Sequence, residues 1–290
     1  MHRALRAAWL AIREATSRPS LSRNPEPSAE MTGVESVRGF HDAGGKSGPL
    51  LGIYHFNARA IHQLVPRGGI VLDLGCGSGQ FLAYLARRRP DLKLIGLDLS
   101  REMIALGNEM LSDEGLSHRV ELRKGDMTNF MDAIPGPVDL ISSVFSLHHL
   151  PSRSHLDACA GELRKANQDA GTAIWIFDHA RPRREVTADR FPHVFTPDAS
   201  SAFKLDSSNS LKASWSFKEL RGVLQPGVSA HIESALARWL PLYQIHWLER
   251  RPIAVAGAGW HAPDDVPRAA IKDADVLASL LGGPPGARNP

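Results

Sequence analysis

A short apolar run that stops at alternating glycines constrains this chain more than any other stretch: Val71-Leu72-Asp73-Leu74-Gly75-Cys76-Gly77-Ser78-Gly79. Residues Ile70 to Leu74 are β-rich and apolar enough for a parallel strand covered on both faces. The glycines permit positive φ and let a ligand approach the backbone closely. Phe81, Leu82, Leu85 and Ala86 follow at helical spacing, so a helix is predicted to open near Gly79, with its free N–H groups and positive dipole end facing the turn. Taken alone, the stretch is equally a tight strand–helix turn with no ligand.

Later segments favour a ligand. Leu94-Ile95-Gly96-Leu97-Asp98 reads as a second strand ending in an acid, and a carboxylate there can accept hydrogen bonds from both ribose hydroxyls of an adenosine. A third strand, Val120 to Arg123, ends at Gly125-Asp126-Met127. A fourth, Val138 to Val144, ends at Phe145-Ser146-Leu147-His148-His149-Leu150, and a fifth, Gly171 to Phe177, ends at Asp178-His179. Strands alternating with helices over short links imply right-handed parallel crossovers and one open sheet. Ligands of such sheets bind beyond the carboxyl ends of the strands, where Asp73, Asp98, Asp126, Ser143, His148, His149, Asp178 and His179 all fall.

In this order and spacing, VLDLGCGSG, IGLDLS, GDM and VDLISSVFSLHHL resemble a class I S-adenosylmethionine-dependent methyltransferase over roughly residues 50–250. The resemblance implies an α/β, Rossmann-like fold: a seven-stranded, mostly parallel sheet with a terminal antiparallel strand and helices on both faces. It implies S-adenosyl-L-methionine as cofactor and a small organic molecule as methyl acceptor. Asp73 and the loop Gly75, Cys76, Gly77 and Gly79 would pass the methionine part of the cofactor, and Asp98 would hold the ribose. Leu99, Met103, Asp126, Met127 and Ser143 would flank the adenine and the fourth-strand end. Tyr54 and Arg59, with Asn57, sit on a helix predicted over 53–65 and would approach the methionine carboxylate; solvent-facing or capping roles remain open for them. The Ser142-Ser143-Val144-Phe145 turn lacks the Asn/Asp-Pro-Pro-aromatic pattern of enzymes that methylate nucleobases or glutamine. Small-molecule O-, N- or C-methylation stays open.

Methyl transfer from a sulfonium mainly requires alignment in a dry cavity, and some acceptors also need a base. His149, His179 and His148 are the candidate bases, His being suited by its unperturbed pKa of ~6.5. A reaction with no base is the alternative. No paired carboxylates follow the fifth strand, so no metal is expected. Two other functions compete. A nicotinamide oxidoreductase is disfavoured by GxGxG spacing and the lack of a Tyr-x-x-x-Lys pair; a non-catalytic S-adenosylmethionine-binding module or regulator would keep the same cofactor residues.

Composition restricts the partners. A net charge of +3 with 22% charged residues provides no dense basic face, so no nucleic acid is expected. No apolar run reaches membrane-helix length. Two cysteines, Cys76 and Cys159, suggest a reducing compartment, and so the cytoplasm. Oligomeric state is left unspecified.

Residues 1–30 read as an N-terminal extension. Leu5, Trp9 and Ile12 form one helical face, followed by a proline- and serine-containing break. Three readings stand: a mitochondrial transit peptide, a mobile extension, or a short helix docked on the domain. Residues 31–69 read as an N-terminal helical cap and 70–250 as the methyltransferase domain. Within it, 181–213 shows no clean period and is expected to be an acceptor-side insertion carrying Phe191, Phe195 and Phe203. Residues 251–290 read as a C-terminal tail holding a short helix over 266–281, with disorder expected from Gly282 onward.

Overall fold

The computed structural model describes residues 3–28, 30, 33–134, 136–225, 232–249 and 265–282. Three helices, α1 (Arg3–Thr16), α2 (Val34–Ala43) and α3 (Leu51–Leu64), precede the sheet. Then come β1 (Ile70–Leu74), α4 (Gln80–Arg88), β2 (Lys93–Asp98), α5 (Arg101–Asp113), β3 (Val120–Lys124), β4 (Leu140–Val144), α6 (Arg153–Ala170) and β5 (Ala173–His179). Helices α7 (Glu185–Phe195), α8 (Ser201–Ala213) and α9 (Phe217–Leu224) lead to β6 (Glu233–Leu236), β7 (Tyr243–Leu248) and α10 (Arg268–Leu281).

The strands form one seven-stranded sheet in the order β3-β2-β1-β4-β5-β7-β6. Pairing is parallel from β3 through β5, and β7 runs antiparallel to both β5 and β6. The antiparallel strand is thus the last in the chain but lies one position inside the sheet edge. Chain order reverses between β1 and β4, which opens a crevice at their carboxyl ends. β5 is buried along its whole length, as expected of a strand covered on both faces. One core layer joins α3, α4 and α10 to one face of the sheet around Phe56, Trp175 and Phe177, while α6 and α9 cover the other.

Local signals explain several boundaries. Ser100 caps α5 by accepting from the Met103 amide, and Ser216 with Glu219 forms a complete capping box on α9. Gly171, at φ 67°, closes α6 in the left-handed conformation.

Three expectations are corrected. Of the three readings of the N-terminal extension, the structure has the docked one rather than the mobile one: α1 and the segment after it lie along the domain. The face of α1 that docks is not Leu5-Trp9-Ile12, which is largely exposed, but the one carrying Leu10 and Glu14, both buried. Leu10 packs with Ala188, Phe191, Leu211 and Leu242, and Glu14 accepts from the Arg183 amide and the Thr187 hydroxyl. The insertion 181–213 is two packed helices rather than an irregular loop; Pro192 lies inside α7, which obscured its period. The C-terminal segment is not only a tail: α10 packs along α3 and buries Ala274, Leu277 and Leu281. Pro226-Gly227 reads in sequence as a helix stop and His231 as the start of a strand; both, with the disorder expected beyond Gly282, lie outside the described residues.

Candidate functional site

The glycine loop sits at the crevice. Gly75, Gly77 and Gly79 have φ of 70°, 55° and 70°, the left-handed region that favours glycine. A Cβ on Gly75 would lie 2.3 Å from Ser146 Cβ, so the fourth-strand end leaves room for hydrogen only. The Gly75 and Cys76 amides both donate to the Leu97 carbonyl, tying the loop to β2. Asp98, at the end of β2, accepts from the Gly77 amide at 2.7 Å and the Ser100 amide at 2.8 Å. Burial raises its pKa, against those two backbone hydrogen bonds.

A cleft opens here, lined by Gly75, Gly77, Asp98, Leu99, Met103, Met127, Phe145, Ser146 and His149, with Phe40 of α2 closing it from above. The Phe40 ring would stand 3.5 Å from a Cβ on Gly77, and His41 Nδ1 lies 2.8 Å from the Ser78 hydroxyl. Six of the expected cofactor residues therefore meet around one cleft: Gly75, Gly77, Asp98, Leu99, Met103 and Met127. An S-adenosylmethionine nucleoside fits this donor set. Asp98 accepts one backbone hydrogen bond on each oxygen and keeps further lone pairs for ribose hydroxyls, and the apolar Leu99, Met103 and Met127 offer a surface for the base.

The other expected cofactor residues do not line the cleft. Arg59 turns toward α10 and pairs with Asp275 at 2.7 Å. Tyr54 packs behind the loop against Phe81 and Tyr84. Asp73 lies beneath the loop, accepts from Ser142 at 2.7 Å and is pushed up to about 7 by burial. Cys76 is buried, and its sulfur would stand 2.6 Å from a Cβ on Gly96. Gly79 caps α4 against Leu122. Asp126 accepts from the Thr128 amide within its own turn, and Ser143 pairs with the Ser146 hydroxyl. Tyr54, Asp73, Cys76, Gly79 and Ser143 support the loop from behind, while Arg59 and Asp126 are engaged elsewhere, and motif spacing alone does not distinguish either from contact.

A second cavity of about 240 Å³ adjoins the cleft. Its wall is mostly apolar and aromatic: Leu50 just before α3, Ile53 of α3, Phe191 and Phe195 of α7, Phe203 of α8, Tyr243 of β7 and Leu280 of α10. Phe40, Phe145 and His149 border both the cleft and this cavity. Phe145 holds φ 58°, an uncommon conformation for a bulky residue, and its ring stacks on His179 at 4.4 Å.

All three candidate histidines border the cavity, in different states. His148 is held at Nδ1 by Asp178 at 2.6 Å, and its amide also donates to that carboxylate. His179 lies between Phe145 and Tyr243, and its Nδ1 is buried with no hydrogen-bond partner among the described residues. Burial and the neighbouring His148 pull the His179 pKa down to about 3, so its ring is neutral. His149 faces Glu26, with Nδ1 to Oε2 at 3.1 Å. Burial opposes charge on His149, but the facing Glu26 carboxylate overcomes it and raises its pKa. Burial likewise pushes Glu26 up, yet His149 brings it down to about 2.

Glu26 was not singled out from sequence, and neither was Arg23. Arg23 donates to the carbonyls of Ala213, Pro151, His148 and Leu150, and its guanidinium lies 3.7 Å from the centre of the Trp215 ring. It anchors the N-terminal strap over the histidine turn. Glu26 then reaches His149 and accepts from Ser210 of α8 at 2.8 Å. The only sequence signal was two charged residues within a proline-serine break, which reads as solvated linker. Among the described residues, no helix is long and apolar enough to cross a membrane.

Residues 71–171 match a family described as a methyltransferase domain. Trans-aconitate 2-methyltransferase of Mycobacterium tuberculosis is 35% identical over 104 residues, 34% of this chain and 36% of that protein. The polyketide synthase ThaQ of Burkholderia thailandensis is 35% identical over 118 residues, 41% of this chain and 5% of that protein. The chain thus spans only a minor part of these relatives' lengths. Among solved structures, a SAM-dependent methyltransferase from Aquifex aeolicus superposes with TM-score 0.52 at 18% identity, covering 75% of this chain and 98% of that one. The plantazolicin methyltransferase BpumL, solved with SAH, superposes with TM-score 0.54 at 15% identity, covering 85% and 96%. Sheet order and matched residues agree: residues 71–171 match the methyltransferase-domain family, and the chain has the Rossmann-like fold of S-adenosylmethionine-dependent methyltransferases.

Proposed function

We propose that this protein transfers a methyl group from S-adenosylmethionine to a small, largely apolar acceptor seated in the cavity between α3, α7, α8 and α10. The observation that carries the reading is the shared wall of Phe40, Phe145 and His149, which brings the cofactor cleft and an aromatic cavity face to face. When bound, the cofactor supplies an electrophilic methyl on a sulfonium that leaves as a neutral thioether.

In this reading Asp98 binds the ribose, and Leu99, Met103 and Met127 bracket the base. Phe40 covers the glycine loop and excludes water from the displacement path. Aromatic walls with a few converging polar groups suit a small-molecule site. His179 Nδ1, neutral and unpartnered at the cavity wall, accepts a hydrogen bond from an acceptor O–H or N–H and so orients it. Asp178 fixes the tautomer and ring plane of His148, which makes His148 a positioning residue in this account.

The test is a panel of phenols, hydroxylated heteroaromatics, thiols and carboxylic acids incubated with methyl-labelled cofactor and read by mass spectrometry. Label should appear on at least one class, with the demethylated cofactor formed in equal amount. If the cofactor binds but no class gains label, the chain is a binding module instead.

A further inference from the structure

We infer that Glu26, His148 and His149 form a site for one divalent ion of the zinc class at the wall of the acceptor cavity. The three side chains come from two distant parts of the chain, and each offers a ligand atom within 4.8 Å of the others. Glu26 Oε1 stands 3.8 Å from His148 Nε2, and Oε2 stands 3.1 Å from His149 Nδ1. Ligands at zinc distances of ~2.0–2.2 Å in tetrahedral array lie roughly 3.4 Å apart. The two carboxylate–imidazole separations bracket that value and all three ligand atoms lie within 4.8 Å, so an ion fits once the side chains adjust to bring them to its distance.

The surroundings match what metal-bound imidazoles require. His148 gives its Nδ1 to the buried Asp178 carboxylate at 2.6 Å, which leaves Nε2 directed at Glu26. A carboxylate behind a ligating histidine fixes its tautomer and raises its basicity. Ser210 donates to Glu26, steadying the third ligand. The local charge favours a cation: Glu26 and Asp178 flank the two imidazoles, and Asp206 lines the same cavity. Arg23 is the nearby positive charge, but its guanidinium is engaged with backbone carbonyls and the Trp215 face.

Two histidines and one carboxylate are a ligand set used by zinc where a position is left open for water or substrate. Both imidazoles border the cavity, so the open position faces the acceptor. An acceptor hydroxyl or thiol coordinating there gives up its proton to solvent, and the resulting oxygen or sulfur anion keeps its electron pair for attack on the methyl carbon. Ion binding itself is independent of methyl transfer; this role for the ion rests on the function proposed above.

The experiment uses the full chain without a polyhistidine tag, stripped by chelator and dialysed. Zn²⁺ is titrated in competition with a chromophoric chelator, Co²⁺ is followed by visible absorption, and SAH affinity is measured in parallel with and without the ion. The inference expects one Zn²⁺ per chain at micromolar affinity or tighter, and a Co²⁺ spectrum of the intense four- or five-coordinate kind. Glu26→Gln, isosteric and on the strap, should weaken Zn²⁺ binding by at least ~10–100-fold while circular dichroism and SAH affinity stay unchanged. Asp178→Asn should weaken it too, and if that variant fails to fold, Glu26→Gln still decides. Millimolar binding only, a weak six-coordinate Co²⁺ spectrum, or uptake unchanged in Glu26→Gln would each overturn the site and leave the pair as a simple ion pair. Zn²⁺ uptake without SAH binding would uphold the metal site and refute the methyl-transfer reading instead.

Discussion

Arg23→Ala tests whether the N-terminal strap is part of the folded domain. The guanidinium makes four hydrogen bonds, three of them partly buried, and stacks on Trp215. Burial and the neighbouring Arg181 lower its pKa to about 10, so it stays charged at neutral pH. Taking ~1 kcal/mol for each partly buried bond and nothing for the exposed one gives about 3 kcal/mol. Stacking adds ~1 kcal/mol. Releasing the immobilised side chain returns about 1–2 kcal/mol of rotamer entropy. The expected net loss is ~2–3 kcal/mol, which for a chain of this size lowers Tm by about 4–10 °C. Differential scanning fluorimetry reads the shift, with Arg23→Lys as the control that keeps charge but cannot fork to several carbonyls. A Tm within a degree of wild type would refute the docking, and residues 1–30 would then be separable.

Phe203→Ala and Phe195→Ala each remove apolar area from the cavity wall. At ~1–2 kcal/mol of lost contact, kcat/KM for the acceptor should fall roughly 5–30-fold with SAH affinity unchanged by calorimetry; an equal loss of SAH affinity would remove the cavity from the acceptor side. Asp73 gives a pH dependence: its carboxyl lies at about 7 folded against 3.8 unfolded, so the folded state holds the extra proton between those values. Stability should therefore decline as pH rises from about 4 to about 7, and Asp73→Asn should flatten that slope in denaturant midpoints. Gly96→Ala would place a Cβ 2.6 Å from Cys76 Sγ and 2.8 Å from Leu82 Cδ1. It should cost ~1–3 kcal/mol by overpacking, and an undiminished Tm would contradict the close approach of loop and strand.

The central part of the fold was legible because local and tertiary signals agree there. β1 begins and ends where the apolar run and glycines placed it, and serines standing just before a helical run, Ser100 and Ser216, cap α5 and α9 as that residue type does. The lining of the cleft was legible where a residue's place on a strand end fixes its direction, as for Asp98. It was not legible where direction depends on a partner far along the chain. Arg59 turns away because Asp275 lies across from it on α10, and nothing near Arg59 in sequence reports that. The exposed Leu5-Trp9-Ile12 face misled because amphipathic period identifies an apolar stripe but not what it touches. The buried Glu14 instead satisfies the Arg183 amide and Thr187, a long-range match no window could show. Glu26 was hidden for the same reason: its neighbours are His149 and Ser210, both far downstream.

Titration calorimetry of SAH into the purified chain tests most directly whether the cleft between β1, β2 and β4 is a cofactor site. One SAH should bind per chain. Asp98→Ala should weaken binding by about 10–100-fold, since ~1.5–3 kcal/mol of charge-assisted hydrogen bonding is lost. Folded protein that takes up no SAH, or an Asp98→Ala variant that binds as tightly as wild type, would contradict the account.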